Sequence, residues 1–208
     1  MSDATRSPNR KGEGARLRDE LLDAALRLVD EEGFGALSLR AIARGAGISA
    51  PSVYLHFSNL DALVAAVVGQ CFDELITEIT TERDAQQDPD GRLLASCRGY
   101  LHYAHSHPGR YALLFGRVPG PDGQGGTLGH HHDGSQQAFA VLVAAVTASL
   151  DSRNGTTSRA QQVATAVWVG LDGFANLRTQ RPNFPWPDTE TMLQALVLDH
   201  IPAAPPPT

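Results

Sequence analysis

The sequence predicts an all-α protein of about nine helices, with a small N-terminal domain followed by a larger helical bundle. Apolar residues recur at helical spacing over most of the chain, and no segment shows a convincing strand pattern. Gly, Pro and capping residues separate the periodic segments. Hydrophobic residues make up 42% of the 208 residues, which is enough for a sizeable buried core.

The N-terminal end predicts a basic arm and a first helix. Residues 1–14 are polar and include three basic side chains, so we expect a flexible arm. Apolar residues recur at helical spacing over residues 16–32, and Gly33 ends this pattern. We assign residues 15–62, which follow the arm, to the N-terminal domain.

Two short helices separated by a glycine turn are expected next. Ser38 is suited to cap a helix over residues 39–46, and Ser49 to cap a helix over residues 50–56. Gly47 lies between them and allows a tight turn with a positive φ. Two short helices joined in this way have the pattern of a helix-turn-helix.

The rest of the chain predicts a helical domain over residues 63–201. Residues 119–129 are rich in Gly and Pro, so we expect a mobile connection there, and residues 202–208 are expected to form a disordered tail. Further helices are expected from residue 60 to about 83, from 93 to about 104, and over residues 109–117, 134–150, 158–178 and 189–200.

The helix-turn-helix pattern points to DNA as a partner. The chain has a net charge of -6, but the acidic excess lies after residue 60, so a nucleic-acid site has to use a local patch in the N-terminal segment. Short hydroxyl side chains reach base edges or phosphates, and Tyr and His donate to phosphates. The candidate DNA-contacting residues are Arg40, Arg44, Ser49, Ala50, Pro51, Ser52, Tyr54 and His56.

Four motifs follow one another in this segment: Ala41-Ile42-Ala43, Ala46-Gly47-Ile48-Ser49, Val53-Tyr54-Leu55-His56-Phe57 and Asp61-x-Leu63. They resemble the signature of the TetR family of transcription regulators. A helical hairpin of some other bundle, with Tyr54 and Phe57 simply packed, is the alternative. Family members usually carry a phosphate-binding Lys where this chain has Leu60, and the recognition helix lacks Arg and Lys.

Two segments of the C-terminal half resemble the Trp-His-Gly type of TetR C-terminal domain. They are residues 168–174, where Asp172 stands in place of the His, and residues 107–115, which look like the linking helix of such domains. The resemblance implies a cavity for a small-molecule effector among helices five to eight, with ordinary core packing as the alternative for each lining residue. The candidate lining residues are Tyr100, Tyr103, Phe115, Phe139, Trp168, Asp172 and Phe174.

The eighth helix predicts a two-fold homodimer. Between residues 160 and 177 the only charged side chain is Asp172, so this helix is expected to face its own core on one side and a partner subunit on another. A buried carboxylate needs a partner. For Asp172 we consider Arg110, His102 or a Tyr hydroxyl as structural partners, and a ligand group as the alternative.

The cysteines and histidines predict no cofactor and no metal site. Cys71 and Cys97 lie in apolar helical patterns without metal or redox spacing, so we expect reduced core thiols, with redox sensing as the alternative. The pair His102 and His105 and the run at residues 130–132 lack further ligands, and solvated surface histidines are the interpretation we adopt.

Taken together, these features predict a transcription regulator, not an enzyme. We expect a repressor that binds a palindromic operator in double-stranded DNA and is released by a small-molecule effector. The alternative is a helical protein-interaction module that has lost DNA binding. No signal peptide, membrane-spanning stretch or nucleophile motif is found, so we expect a cytoplasmic protein, nucleoid-associated when bound to DNA.

Overall fold

Nine α-helices are formed by the residues that the structure, a computed structural model, describes: residues 13–116, 133–153, 155 and 157–199. No strand occurs in these ranges. Most of the expected arm, the connection at 119–129, the histidine run at 130–132 and the expected tail lie outside them. The helices are α1 Glu13–Glu32, α2 Leu39–Gly45, α3 Ala50–Val53, α4 Leu60–Asp84, α5 Pro89–Ser106, α6 Pro108–Phe115, α7 Asp133–Ser152, α8 Ala160–Gln180 and α9 Thr189–Leu193.

Several helix boundaries differ from the sequence prediction; α5, for example, begins at Pro89 and not at residue 93. Helix α1 begins at Glu13, inside the expected arm. Helix α3 ends at Val53. The N–H groups of His56 and Phe57 both donate to the Val53 carbonyl, so the chain tightens into a turn there. Helix α9 ends at Leu193 and continues as a π-helical turn, Gln194–Leu198.

Side-chain caps and one glycine set the local geometry of the first helices. The Ser38 hydroxyl accepts from the N–H of Ala41 at 3.2 Å and caps α2. Asn59 caps α4, with its Oδ1 accepting from the N–H of Ala62 at 2.8 Å. Gly47 has φ +68, a conformation that favours glycine, so the chain turns sharply between α2 and α3.

Helix α4 joins the two halves of the molecule. It runs without a break from Leu60 to Asp84, across the boundary that the sequence suggested at residue 62. Its first turns bury Leu63 and Val67 near α1, and its later turns bury Phe72 and Leu75 within the bundle. Helix α4 therefore packs in both halves of the molecule, and the position of the domain boundary remains a prediction.

The C-terminal bundle is built from α5, α7 and α8 packed with the second half of α4. Cys71 of α4 and Cys97 of α5 are buried free thiols, and burial raises the pKa of each to about 12. At neutral pH both are therefore protonated core residues. In the described part of the chain, no helix combines the length and the apolar character that crossing a membrane requires.

Candidate functional site: a helix-turn-helix surface and an internal cavity

The helix-turn-helix is held by a few completely buried apolar side chains. Ile42 of α2 and Val53 of α3 have no exposed surface, and Phe57 is buried just after α3. Ile48 in the turn packs against the same core. Because these side chains fix α3 against α2, the outer face of α3 has a defined orientation.

The candidate DNA-contacting residues share one side of this unit. The charged side chains of α2 are exposed, and neither forms an ion pair with another described residue. In α3 the first residues are exposed or half-buried, and the hydroxyls of Ser49 and Ser52 hydrogen-bond to each other at 2.7 Å. Tyr54 is 59% exposed. The exposed candidates are Arg40, Arg44, Ser49, Pro51 and Tyr54. The half-buried candidates are Ala50, Ser52 and His56.

Two side chains near the start of α1 extend this surface. The His56 ring lies near the first turn of α1: a Cβ added at Gly14 would be 4.0 Å from Cε1 of His56. The guanidinium of Arg18 lies over the Phe57 ring at 5.2 Å, and Arg16 pairs with an acidic neighbour on the same helix. Helix α1 therefore brings positive charge beside the end of α3.

Leu55 is a surface residue that sequence reasoning missed. It is 81% exposed, although it lies in an apolar stretch between Val53 and Phe57. A leucine in such a stretch is ordinarily assigned to the core. Only the end of α3 at Val53, which the sequence pattern did not indicate, turns Leu55 outward.

An internal cavity of about 360 Å³ lies among α4, α5, α6, α7 and α8. A volume of this order suits a small-molecule ligand. No Asp, Glu, Lys, Arg or His belongs to its lining among the described residues. It is lined by Ile79, Ser96, Cys97, Tyr100, Phe115, Ser135, Gln136, Ala138, Phe139, Leu142, Trp168 and Leu171.

Four of the seven expected lining residues border this cavity, namely Tyr100, Phe115, Phe139 and Trp168. The other three lie elsewhere, and in each case packing gives the reason. Tyr103 is turned towards α4, where its hydroxyl donates to the Cys71 carbonyl at 3.1 Å. Phe174 packs edge-on against Trp186. Asp172 is engaged by neighbouring side chains outside the lining.

A chain of hydrogen bonds connects Asp172 to the cavity. The hydroxyl of Tyr111 donates to Asp172 Oδ1 at 2.6 Å, and Asn176 donates to the same oxygen at 3.0 Å. The hydroxyls of Tyr111 and Tyr100 are 2.9 Å apart. Burial raises the pKa of both tyrosines above the usual range, so both are protonated. Of the expected partners for Asp172, the structure favours a Tyr hydroxyl.

Helix α6 connects this bundle to α1. The guanidinium of Arg110 binds Asp30 of α1 at 2.6 Å and Glu74 of α4 at 2.7 Å. The backbones of α6 and α1 also pack closely, since a Cβ added at Gly109 would lie only 2.5 Å from the carbonyl oxygen of Val29. Tyr111 and the cavity residue Phe115 belong to the same short helix. Helix α6 therefore touches the cavity wall, α4 and α1 at once.

Two further features bear on assembly and metals. On α8, Val169, Gly173 and Leu177 follow one another at four-residue spacing; Val169 and Leu177 are exposed, and the space around Gly173 is open.

His102 pairs with Glu78 at 2.6 Å, and no group of three potential ligands that could hold a metal occurs among the described residues.

Two family models match the chain. The model described as bacterial regulatory proteins of the tetR family matches residues 21–67, and the model described as the tetracyclin repressor-like C-terminal domain matches residues 93–200. Together with the helix-turn-helix, these matches define a DNA-binding transcription regulator. The chain belongs to the TetR family, which confirms the all-α fold and the family resemblance predicted from the sequence.

Individual relatives agree with this assignment. The chain is 32% identical over 160 residues to an uncharacterized HTH-type transcriptional regulator, Rv0681, of Mycobacterium tuberculosis, covering 77% of this chain and 69% of that protein. It is 34% identical over 71 residues to the nicotine-responsive transcriptional repressor HdnoR of Paenarthrobacter nicotinovorans, covering 34% and 37%. In fold, it matches a protein of unknown function from Rhodococcus sp. RHA1 with a TM-score of 0.75 and 22% identity, covering 94% and 97%.

Proposed function

We propose that this protein is a transcriptional repressor that a small molecule in the cavity releases from a palindromic operator. The observation that carries the proposal is the position of α6, whose Phe115 borders the cavity while Arg110 holds α1 and α4. A relative whose name describes a nicotine-responsive repressor supports the combination of repression with a small-molecule response.

On the DNA, α3 enters the major groove and α2 crosses the backbone. The exposed guanidinium groups of Arg40 and Arg44 bind phosphates, together with Tyr54 and His56. The exposed Leu55 is suited to contact a thymine methyl group in the groove. Ser49, Ala50, Pro51 and Ser52 form the small-residue start of α3, which lets the helix approach the base edges closely.

The assembly that we propose is a two-fold homodimer through the outer face of α8. Val169 and Leu177 offer exposed apolar surface, and Gly173 between them allows close approach of a second helix. A two-fold dimer places two α3 helices on successive major grooves, about 34–36 Å apart, so the operator is a palindrome. Sedimentation equilibrium is expected to give a dimer for the wild type and a monomer for Val169→Asp.

The release mechanism that we propose runs through α6. A ligand in the cavity pushes on Phe115, and α6 shifts as a unit because it is short and packed against several helices. The Arg110 contacts transmit this shift to Asp30 and Glu74, and the spacing of the two α3 helices in the dimer changes. The two arrangements differ in DNA affinity, which is the condition for a ligand-driven switch.

DNA binding and its direction of control are tested together. In a mobility-shift assay with DNA from upstream of the protein's own gene, the wild type is expected to bind, and His56→Ala to bind more weakly at all sequences alike. His105→Ala, an exposed histidine of α5, is the matched control and should bind normally. If the wild type binds no such DNA, the interaction-module alternative is favoured. If bound protein raises transcription in vitro, repression is refuted.

A further inference from the structure

The polar atoms of the cavity carry information about the ligand that would occupy it. The inference rests on the proposed function, because it concerns the same effector cavity. Charged side chains are absent from its described lining. A ligand with a full charge would lose its hydration there without gaining an ionic partner. The described lining therefore disfavours charged ligands.

The direction of the hydrogen bonds can be followed from Asp172 to the cavity. A phenol has one proton. The proton of Tyr111 is donated to Asp172, so Tyr111 can only accept from Tyr100 in their 2.9 Å contact. The proton of Tyr100 is therefore committed to Tyr111.

The second buried hydroxyl of the lining is committed in the same way. Ser96 is 2% exposed, and its hydroxyl donates to the carbonyl of Arg92 at 2.9 Å. Tyr100 and Ser96 therefore both keep lone pairs but offer no proton. Gln136, whose amide could donate or accept, is exposed at the edge of the cavity. The two buried hydroxyls of the wall, those of Tyr100 and Ser96, are therefore hydrogen-bond acceptors.

Aromatic rings form much of the remaining wall. Trp168 lies 6.0 Å from Phe139 and 6.5 Å from Phe115, measured between ring centroids, and Phe115 lies 5.8 Å from Tyr100. Such rings favour stacked and edge-on contacts with another ring. We propose that the cavity binds an uncharged, largely apolar or aromatic molecule that carries a hydrogen-bond donor, such as a phenolic or alcoholic hydroxyl.

The test uses three probes with one skeleton: 2-naphthol, 2-methoxynaphthalene and 2-naphthoate. Each is titrated into the full-length protein at pH 7 by calorimetry, with thermal unfolding as a second readout. The naphthol is expected to bind about ten-fold more tightly than the ether, because one acceptor in the wall is left unpaired by the ether. The naphthoate, which is ionised, is expected to give no measurable binding.

Two matched variants locate the acceptor. Tyr100→Phe is expected to remove the preference for the naphthol over the ether, because it removes the acceptor that the ether leaves unpaired. Tyr103→Phe removes a buried hydroxyl outside the cavity and is expected to keep the full preference. These titrations contain no DNA, so they test the cavity independently of repression. If the naphthol binds selectively but does not release the protein from DNA, the proposed function fails and this inference stands.

Several results would overturn the inference. It fails if the naphthoate binds as tightly as the naphthol, if the ether matches the naphthol, or if none of the three probes binds. It also fails if Tyr100→Phe folds, binds the probes and retains the wild-type preference.

Discussion

Replacing Arg110 with methionine tests the connection between α6 and α1. The change keeps an apolar side chain of similar length but removes the guanidinium, which is 17% exposed and bonded to Asp30 and Glu74. Removing one partner of a fully buried ion pair costs about 3–5 kcal/mol. Nearly a third of each carboxylate reaches water, so we expect a loss of about 2 kcal/mol in the free energy of unfolding. For a chain of this length, the corresponding fall in Tm is about 4–8 °C.

The control is Arg153→Met. Arg153 binds Asp90 at 2.6 Å, its side chain is exposed to a similar degree, and it links α7 to α5 without contacting α1. Both variants should unfold more easily in urea at a fixed protein concentration, but only Arg110→Met should weaken the release of DNA by 2-naphthol or another ligand that binds the cavity. If Arg110→Met loses stability and still releases DNA as the wild type does, α6 does not transmit the signal through this contact.

Three further predictions concern packing, pH and thiol reactivity. Gly109→Ala should lower the free energy of unfolding by about 1–2 kcal/mol in urea titrations, because the new Cβ would lie 2.5 Å from the Val29 carbonyl oxygen; a gain in stability would contradict the close packing of α6 on α1. Although burial opposes ionisation of Asp90, its hydrogen bonds from Arg153 lower its pKa below that of the unfolded chain, so its contribution to stability is complete above about pH 5 and is lost as the pH falls further. The stability gap between wild type and Asp90→Asn should therefore narrow between about pH 5 and pH 2. Cys97, with a pKa raised to about 12, should resist iodoacetamide in the folded protein and react in urea, and rapid labelling of the folded state would refute its burial.

The helix-turn-helix was predictable because its signals are local. Ser38 as a cap and Gly47 at the turn act within a few residues of their own positions, and both have the roles that the sequence indicated. The end of α3 was not predictable, because the shift from a helical to a tighter turn after Val53 depends on how Phe57 packs.

The cavity was predictable only in part, because its wall depends on which helices pack together. Tyr100 and Tyr103 lie almost one turn apart on α5, so helical spacing placed them on the same face. Helix α4 packs against α5 and takes up Tyr103, while Tyr100 is left facing the cavity. The ion pairs of Arg110 join residues far apart along the chain, and no sequence pattern identified its partners. The roles of the DNA-contacting residues remain predictions.

The division of labour between α6 and α7 has a consequence for engineering biosensors. Helix α7 supplies five of the described residues that border the cavity, whereas α6 carries the ion pair with α1. Under the proposed release mechanism, substitutions at Phe139 or Leu142 therefore reshape the cavity for a new ligand while the Arg110 contacts stay intact. A library of substitutions confined to α7 would change which ligand binds and would keep the contacts between α6 and α1.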